Sequence, residues 1–214
     1  MRRPLAVWLG LPWRDRLRWT WRKAREVATG ADRLRTEDRA LLEDVLLPSC
    51  AADAAVARLL FVGSETYTRD YAAAFAPGRF RTIDIDPAKA RHGTPDHIVA
   101  PIQDVALHVL PATVDTVIMN GVYGWGVNDR ASLEAALRAV AVVLKPGGRL
   151  LLGWNDVPVL GPFDPEPVAI GCGFARDPSG ALGRWRTRTT TPTRHTFDCY
   201  LRPAPPAAPS ADVA

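Results

Sequence analysis

The chain has few cysteines and lysines, and it lacks any long apolar run. Its three cysteines, Cys50, Cys172 and Cys199, are far apart in the 214 residues and form no CxxC pair. This spacing argues against a zinc site or a disulfide framework and favours a reducing compartment such as the cytoplasm. No stretch reaches the roughly 18 uninterrupted apolar residues that a membrane span needs. The sequence therefore predicts a cytoplasmic protein without a transmembrane segment.

Histidine is also scarce, and its spacing is not that of a metal site. His92, His97 and His108 stand at no ligand-like interval from one another or from acids. Metal ligands in proteins usually come in closely spaced pairs. No metal centre is expected.

Positive charge is concentrated at the N-terminus. Residues 1–25 contain eight basic residues and a single acid, Asp15, whereas the net charge of the whole chain is only +4. Four tryptophans are interleaved with these arginines: Trp8, Trp13, Trp19 and Trp21. Near-helical spacing over 13–28 predicts an amphipathic helix that packs on the domain, with its arginines in solvent. A surface for nucleic acid or an anionic membrane is the alternative, and it is not favoured. The apolar stretch 5–11 is short and has no cleavage site, so export is not expected.

One strand-turn-acid unit carries most of the functional information. An apolar run over 59–62 stops at Gly63, and a second run over 80–83 delivers Asp84 twenty-one residues after the glycine. In doubly wound α/β folds the glycine lets backbone approach a ligand, and the acid accepts hydrogen bonds from both ribose hydroxyls. This unit predicts an adenosine-containing cofactor.

Apolar runs alternate with helical stretches through the rest of the chain, which is typical of a parallel sheet covered on both faces. Strands are predicted near 58–63, 79–84, 97–100, 115–120 and 149–154, and an antiparallel hairpin over 184–190 and 195–201. Helices are predicted from Thr36 until Pro48 ends the helix, and over 69–75, 87–91, 105–109 and 132–144. The proline-rich stretch from Asp156 to Gly183 is expected to be irregular.

The turn over 144–150, LKPGGRL, together with TIDIDP at 82–87, VDTVIMN at 114–120 and the closing hairpin, resembles the class I S-adenosylmethionine-dependent methyltransferases. The similarity covers about 55–202. More narrowly, FVGSETYT, NGVYGWGVND, LLLGWND and RHTFDCY resemble a bacterial subgroup of methyltransferase-like proteins. The resemblance implies a doubly wound, mostly parallel seven-stranded sheet with an antiparallel last strand, a Rossmann-like fold preceded by two N-terminal helices. We therefore divide the chain into a helical extension (1–50) and a methyltransferase-like domain (51–202). The prolines and small residues that follow predict a disordered tail (203–214).

The same resemblance places S-adenosylmethionine on the glycine turn and the ribose acid. The residues implied on this side are Gly63, Ser64, Glu65, Asp84 and Ile85. Glu65 stands where the family has a second glycine, and we expect its carboxylate to meet the cofactor's ammonium group.

Departures from the family pattern affect the turn and the adenine pocket. Phe61 stands in place of an acid and Tyr67 in place of a third glycine, so Tyr67 narrows the approach to the methionine moiety. Pro101 replaces the usual adenine-binding acid. The backbone of Ile102 or the carboxylate of Asp104 is therefore expected to hold the adenine.

Candidate catalytic residues lie at the ends of the later strands. Tyr123 stands just after the fourth strand, where ligands of parallel sheets bind, and Asn120 at the same place is a further candidate for binding the cofactor. Tyr123, with Trp125, is expected to wall the methyl-transfer pocket, or else to pack on the following helix. Asp156 is a candidate to orient or deprotonate an acceptor, or a turn former. His195 is a candidate general base, or a structural residue.

Three functions remain open from the sequence. The leading one is methyl transfer to a small-molecule or metabolite acceptor, which needs alignment more than a strong base. A protein of the same fold that has lost catalysis and serves as a binding or scaffold module is kept open by the altered glycine turn. A nicotinamide-dependent dehydrogenase would also have a strand, a glycine turn and a ribose-binding acid, but it requires a GxGxxG motif that this chain lacks.

Overall fold

The computed structural model describes residues 36–180 and 182–204, which form one mixed sheet flanked by helices. The strands are β1 (Leu59–Val62), β2 (Phe80–Asp84), β3 (Ile98–Val99), β4 (Val114–Asn120), β5 (Leu144–Asn155), β6 (Ala175–Arg176), β7 (Arg186–Arg188) and β8 (His195–Leu201). Their order is β3-β2-β1-β4-β5-β8-β6, with β7 also paired to β8. The predicted strands and the closing hairpin are confirmed to within a few residues.

The first five strands are parallel, and the direction of their connections reverses between β1 and β4. Val62 of β1 is in register with Ile83 of β2 on one side and with Met119 of β4 on the other. All four residues of β1 are buried, which explains its uninterrupted apolar run. The carboxyl ends of β1, β2, β4 and β5 meet at one edge, and ligands bind at such a reversal.

The antiparallel part contains one strand more than expected. β8 pairs with β5 along one edge, and with both β6 and β7 along its other edge. The two short strands therefore lie end to end, and the sheet is seven positions wide although it has eight strands. β6 went unpredicted because two residues, Ala175 and Arg176, carry no readable alternation.

The helix that begins after Thr36 does not end at Pro48. It runs through 37–52 as α1 (Glu37–Leu41), a π-helical turn (Leu42–Leu46) and α2 (Leu47–Ala52). A proline ring clashes with the carbonyl four residues earlier in a regular helix. The wider π turn immediately before Pro48 relieves that conflict, so the prediction that Pro48 terminates the helix was wrong.

The remaining helices are mostly short. α3 (Arg130–Val143) follows a capping box made by Asp129 and Ser132, and α4 (Glu166–Gly171) lies within the stretch expected to be irregular. The helices predicted over 69–75, 87–91 and 105–109 are 3₁₀ helices over Tyr71–Ala74, Pro87–His92 and Ile102–Leu107. A further 3₁₀ helix, Thr66–Thr68, was not predicted.

Residues alternate along the strands between two buried clusters, one on each face of the sheet. Helix 37–52 covers the first face and α3 covers the second. Ile118 and Leu151 belong to the first cluster, whereas Val117 and Leu150 belong to the second. This period of two also decides which polar residues meet at the edge of the sheet.

Some predictions fall outside the described residues. The tryptophan-rich helix over 13–28 does, as does most of the predicted tail from 203 onward. Within 36–180 and 182–204, no helix is long and apolar enough to cross a bilayer.

Candidate cofactor and methyl-acceptor site

The turn after β1 has the backbone geometry that requires glycine. Gly63 has a φ of 92°, a conformation that side chains with a Cβ rarely adopt. Its N–H donates to the carbonyl of Ile83 at 2.8 Å, which ties the turn to β2. The next residue, Ser64, is 2% exposed, and its Oγ has no hydrogen-bond partner among the described residues. A buried hydroxyl without a partner is unusual in a folded protein and is a natural ligand contact.

Asp84 lies at the carboxyl end of β2 with both carboxylate oxygens oriented by backbone. Oδ2 accepts from the Ser64 N–H at 2.7 Å, and Oδ1 accepts from the Asp86 N–H at 2.8 Å. Each carboxylate oxygen has about two lone-pair sites, so both retain capacity for a further donor. Asp84 is half-buried, and the adjacent Ile85 is 68% exposed. The pair offers an acceptor for hydroxyls beside an exposed apolar surface.

Glu65 forms an ion pair that its sequence pattern did not indicate. Its Oε1 contacts Nζ of Lys89, which projects from the 3₁₀ helix after β2. The carboxylate remains 44% exposed and the ammonium 27% exposed. An ammonium group arriving at Glu65 must therefore share the carboxylate with Lys89 or displace it. Lys89 was missed because the contact joins two turns 24 residues apart.

The two adenine candidates after β3 have different exposure. The side chain of Ile102 is 4% exposed in the core, so only its backbone can face a ligand. It is the first residue of a 3₁₀ helix, where backbone N–H groups lack an intrahelical partner. Asp104 is exposed to solvent.

Three polar side chains form a hydrogen-bonded chain at the carboxyl edge of β4 and β5. Nε2 of His195 lies 3.0 Å from Oδ1 of Asn120, and Nδ1 lies 2.9 Å from Oδ1 of Asn155. Asn155 and His195 are directly paired across β5 and β8, and Asn120 is paired with Gly153. The three side chains point to the face covered by helix 37–52. Each lies an even number of residues along its strand from a member of that cluster: Asn120 from Ile118, Asn155 from Leu151 and His195 from Phe197.

Gly153 makes room for this chain of contacts. A Cβ at that position would lie 2.0 Å from Oδ1 of Asn120 and 3.0 Å from Nε2 of His195. Such distances exclude any side chain at 153 unless the network moves. Gly153 was not a predicted site residue, although its place in the strand LLLGWN was a usable signal, because an isolated glycine in a strand often marks a close approach.

Burial keeps His195 uncharged. Removal from water lowers its pKa from 6.5 to about 4, against a weaker opposite effect of Asp38. The side chain is 4% exposed, and its ring edge packs on Phe197 at a centroid distance of 4.8 Å. A base with this pKa is poorly matched to neutral pH. Of the two roles considered for His195, burial and a lowered pKa therefore favour the structural one over that of a general base near neutrality.

Tyr123 is a buried anchor and not a pocket wall. It is fully buried, and its hydroxyl donates to the carbonyl of Phe163 at 2.7 Å and accepts from the Phe163 N–H at 3.2 Å. Burial also raises the pKa of the phenol. Of the two roles considered for Tyr123, this burial favours packing over a pocket wall, whereas its neighbour Trp125 is 46% exposed.

Asp156 is neutralised by two arginines. Its Oδ2 lies 2.6 Å from Nη2 of Arg188 and 3.0 Å from Nη2 of Arg194. A carboxylate oxygen that is already in contact with two guanidinium groups is less available to an acceptor. The catalytic role predicted for Asp156 is not supported by this pairing, and Asp156 instead ties β5 to the turn before β8.

The sheet thus brings Gly63, Asp84, Asn120 and His195 to one edge, as the sequence indicated. Among residues 36–180 and 182–204, no three histidine, cysteine or acidic side chains are grouped to hold a metal ion.

Solved structures share this architecture. The N-methyltransferase NodS from Bradyrhizobium japonicum WM9, in complex with S-adenosyl-L-homocysteine, aligns with a TM-score of 0.59 at 14% identity, covering 81% of this chain and 91% of NodS. A second NodS structure gives the same score and covers 99% of that protein. A TehB-like SAM-dependent methyltransferase from Corynebacterium glutamicum aligns with a TM-score of 0.55 at 13% identity, covering 86% of this chain and 96% of its own.

No protein-family model and no curated protein sequence matches the chain. At identities of 13–14% the structural likeness establishes the fold alone. The chain has the Rossmann-like fold of class I methyltransferases.

Proposed function

We propose that the protein transfers a methyl group from S-adenosylmethionine to a small-molecule or metabolite acceptor. The observation that carries the proposal is Asp84, which keeps acceptor capacity on both oxygens beside the left-handed Gly63 at the reversal of the sheet. Ligands of doubly wound sheets bind at this place, and the acid suits a ribose. The proposal includes a cytoplasmic location and does not involve nucleic acid or a membrane surface as partner.

The side chains present fit the cofactor group by group. Asp84 suits the two ribose hydroxyls, the exposed Ile85 suits the face of the adenine, and the Ile102 N–H suits its edge. The buried Oγ of Ser64 lacks a partner and suits a polar atom of the ligand. Glu65 suits the ammonium group, provided that Lys89 shares or releases its carboxylate.

When bound, S-adenosylmethionine supplies an electrophilic methyl group on a positively charged sulfur. The residues of this chain then have to align the acceptor and exclude water, since His195 is neutral with a low pKa and Asp156 is held by two arginines. Alignment without a strong base suffices for an amine or a thiolate. An amine or thiolate acceptor therefore fits this site better than a hydroxyl, which needs a base.

A non-catalytic binding module is the second candidate, and the Glu65–Lys89 ion pair is the observation that favours it. If Lys89 neither shares nor releases the Glu65 carboxylate, the ammonium site stays occupied and the cofactor is excluded. A measurement of S-adenosylmethionine binding separates the two candidates.

Calorimetric titration with S-adenosylmethionine, S-adenosylhomocysteine and NAD provides the test. We expect the first two to bind and NAD to give no heat. Asp84→Asn should weaken both by at least roughly tenfold, because a hydrogen bond to a charged group contributes about 1.5–3 kcal/mol. Asp96→Asn, which changes an exposed carboxylate paired with Arg81, is the matched control and should leave affinity unchanged. Absence of binding by the parent protein would support the binding module instead.

A further inference from the structure

The chain of contacts from Asn155 through His195 ends at Asn120, next to the glycine turn. A Cβ on Gly63 would lie 3.9 Å from the backbone carbonyl of Asn120, so the two residues are neighbours at the reversal of the sheet. A donor whose ribose is held at Asp84 on β2 would have to extend across β1 to reach the end of β4. Asn120 is the last residue of β4, so its side chain would be available to the sulfur end of such a donor.

Hydrogen-bond accounting restricts how these three side chains are arranged. A neutral imidazole donates from one nitrogen and accepts at the other. Both ring nitrogens of His195 face a carboxamide, at 2.9 Å and 3.0 Å. One carboxamide must therefore present its NH₂ group to the ring, and a half-turn exchanges the oxygen and nitrogen of a carboxamide at the same positions.

The two possible arrangements have opposite consequences at the ligand crevice, by which we mean the space outside the carboxyl ends of β1 and β4. If His195 donates from Nε2, Asn120 gives its oxygen to the ring and turns its NH₂ group outward. If His195 donates from Nδ1 to Asn155, Asn120 gives its NH₂ group to the ring and turns its carbonyl oxygen outward. Asn120 is partly exposed whereas Asn155 is buried, so of the two carboxamides Asn120 is the one that a ligand can meet.

The charge of the donor selects between them. S-adenosylmethionine carries a positive charge on sulfur, and the product S-adenosylhomocysteine does not. A carbonyl oxygen near that sulfur is attracted to the cation, whereas an NH₂ group is repelled by it.

We propose that His195 is a neutral positioning residue, protonated at Nδ1, that fixes the Asn120 carbonyl toward the crevice and so favours the sulfonium donor over its thioether product. The inference rests on the proposed function and goes beyond it, because it assigns product discrimination to a residue that does not touch the ligand. Gly153 serves the same arrangement by leaving space for both side chains.

The tautomer is tested directly on the parent protein. Nitrogen-15 NMR of labelled histidine in the presence of saturating S-adenosylmethionine, with the His195 signals assigned by a His195→Leu variant, should show a neutral ring protonated at Nδ1 at pH 7. A ring protonated at Nε2, or a charged ring, in this complex would overturn the proposal. This measurement does not depend on turnover.

Ligand affinities test the consequence. We expect His195→Leu to reduce the preference for S-adenosylmethionine over S-adenosylhomocysteine by roughly tenfold, the size of one contact to a charged group. His195→Gln should restore part of the preference, since its amide both donates and accepts. The matched control is His108→Leu, an exposed histidine at the end of a 3₁₀ helix, which should leave the ratio unchanged.

The outcomes separate this inference from the function on which it rests. If the parent binds neither ligand, the proposed function fails and this inference fails with it. If both ligands bind and His195→Leu, shown to be folded by circular dichroism, leaves their ratio unchanged, only the inference fails.

Discussion

At the scale of single residues, the burial of His195 couples its charge to the stability of the fold. The unfolded chain protonates this histidine near its ordinary pKa of 6.5, whereas the folded protein does so near 4. Between these values the unfolded state binds more protons, so the free energy of unfolding must rise with pH in that window. The contribution is fully present above pH 6.5 and is lost as the pH falls toward 4.

We expect the parent to lose about 3 kcal/mol of stability from this group on acidification, because one unit of pKa shift corresponds to about 1.4 kcal/mol. Urea unfolding at pH 7 and pH 4.5 measures the loss. Other groups contribute to the total loss, among them the carboxylates and His97, because burial also lowers the pKa of His97. The quantity to compare is therefore the loss of stability in the parent minus the loss in His195→Gln. Equal losses in both proteins would show that folding does not lower the pKa of His195.

How much of the site can be read from sequence depends on where each residue finds its partners. Gly63 and Asp84 were predictable because strand ends and turn chemistry are local. Asp156 and Tyr123 were not, since their partners are Arg188, Arg194 and Phe163, which lie 32–40 residues away. The place of His195 at the correct edge followed from the predicted hairpin, but its charge state followed from burial that no local pattern encodes.

At the scale of elements, the segment 157–165 lies across the ends of β4 and β5. Tyr123 holds the backbone of Phe163, and Arg186 holds Asp164 through two bonds of 2.7 Å and 2.8 Å. A Cβ on Gly124 would lie 1.8 Å from the carbonyl of Leu160, so the two backbones are in close contact. The segment was predicted to be irregular, yet it is anchored at several points.

Tyr123→Phe should loosen this segment selectively. The change removes the hydroxyl that pairs with both backbone groups of Phe163, and we expect a loss of about 1–2 kcal/mol in the free energy of unfolding. Hydrogen exchange should accelerate over 157–165 more than elsewhere. The matched control is Tyr71→Phe, which removes a hydroxyl bonded to Glu43 on the other face of the sheet. Unchanged exchange over 157–165 in Tyr123→Phe would contradict the anchoring role.

Helix 37–52 shows a second limit of sequence reasoning at this scale. The position of Thr36 and the acidic first turn predicted its start correctly, although the Thr36 side chain makes no capping hydrogen bond. Its continuation past Pro48 depends on the π turn over Leu42–Leu46, which buries Leu42 and Leu46 against the sheet. Tertiary packing of this apolar face outweighs the helix-breaking tendency of the proline.

At the scale of the whole molecule, one sheet has a hydrophobic cluster packed on each face, so the two clusters share the same strands. Leu46 lies in the cluster under helix 37–52 and Leu137 in the cluster under α3, and neither is exposed to solvent. Neighbouring residues of the same strand supply both clusters, as Ile118 and Val117 of β4 do. A strand that loses its support on one face cannot keep its packing on the other.

Unfolding should consequently be one cooperative event. We expect Leu46→Ala and Leu137→Ala each to cost about 2–5 kcal/mol, the usual range for a buried leucine, and to shift the same urea transition without changing its slope. Circular dichroism and tryptophan fluorescence should give coincident curves for both variants. A first transition that moves with Leu46→Ala but not with Leu137→Ala would instead show that helix 37–52 unfolds separately from the sheet, and His195 would then lose its cover before the fold is lost.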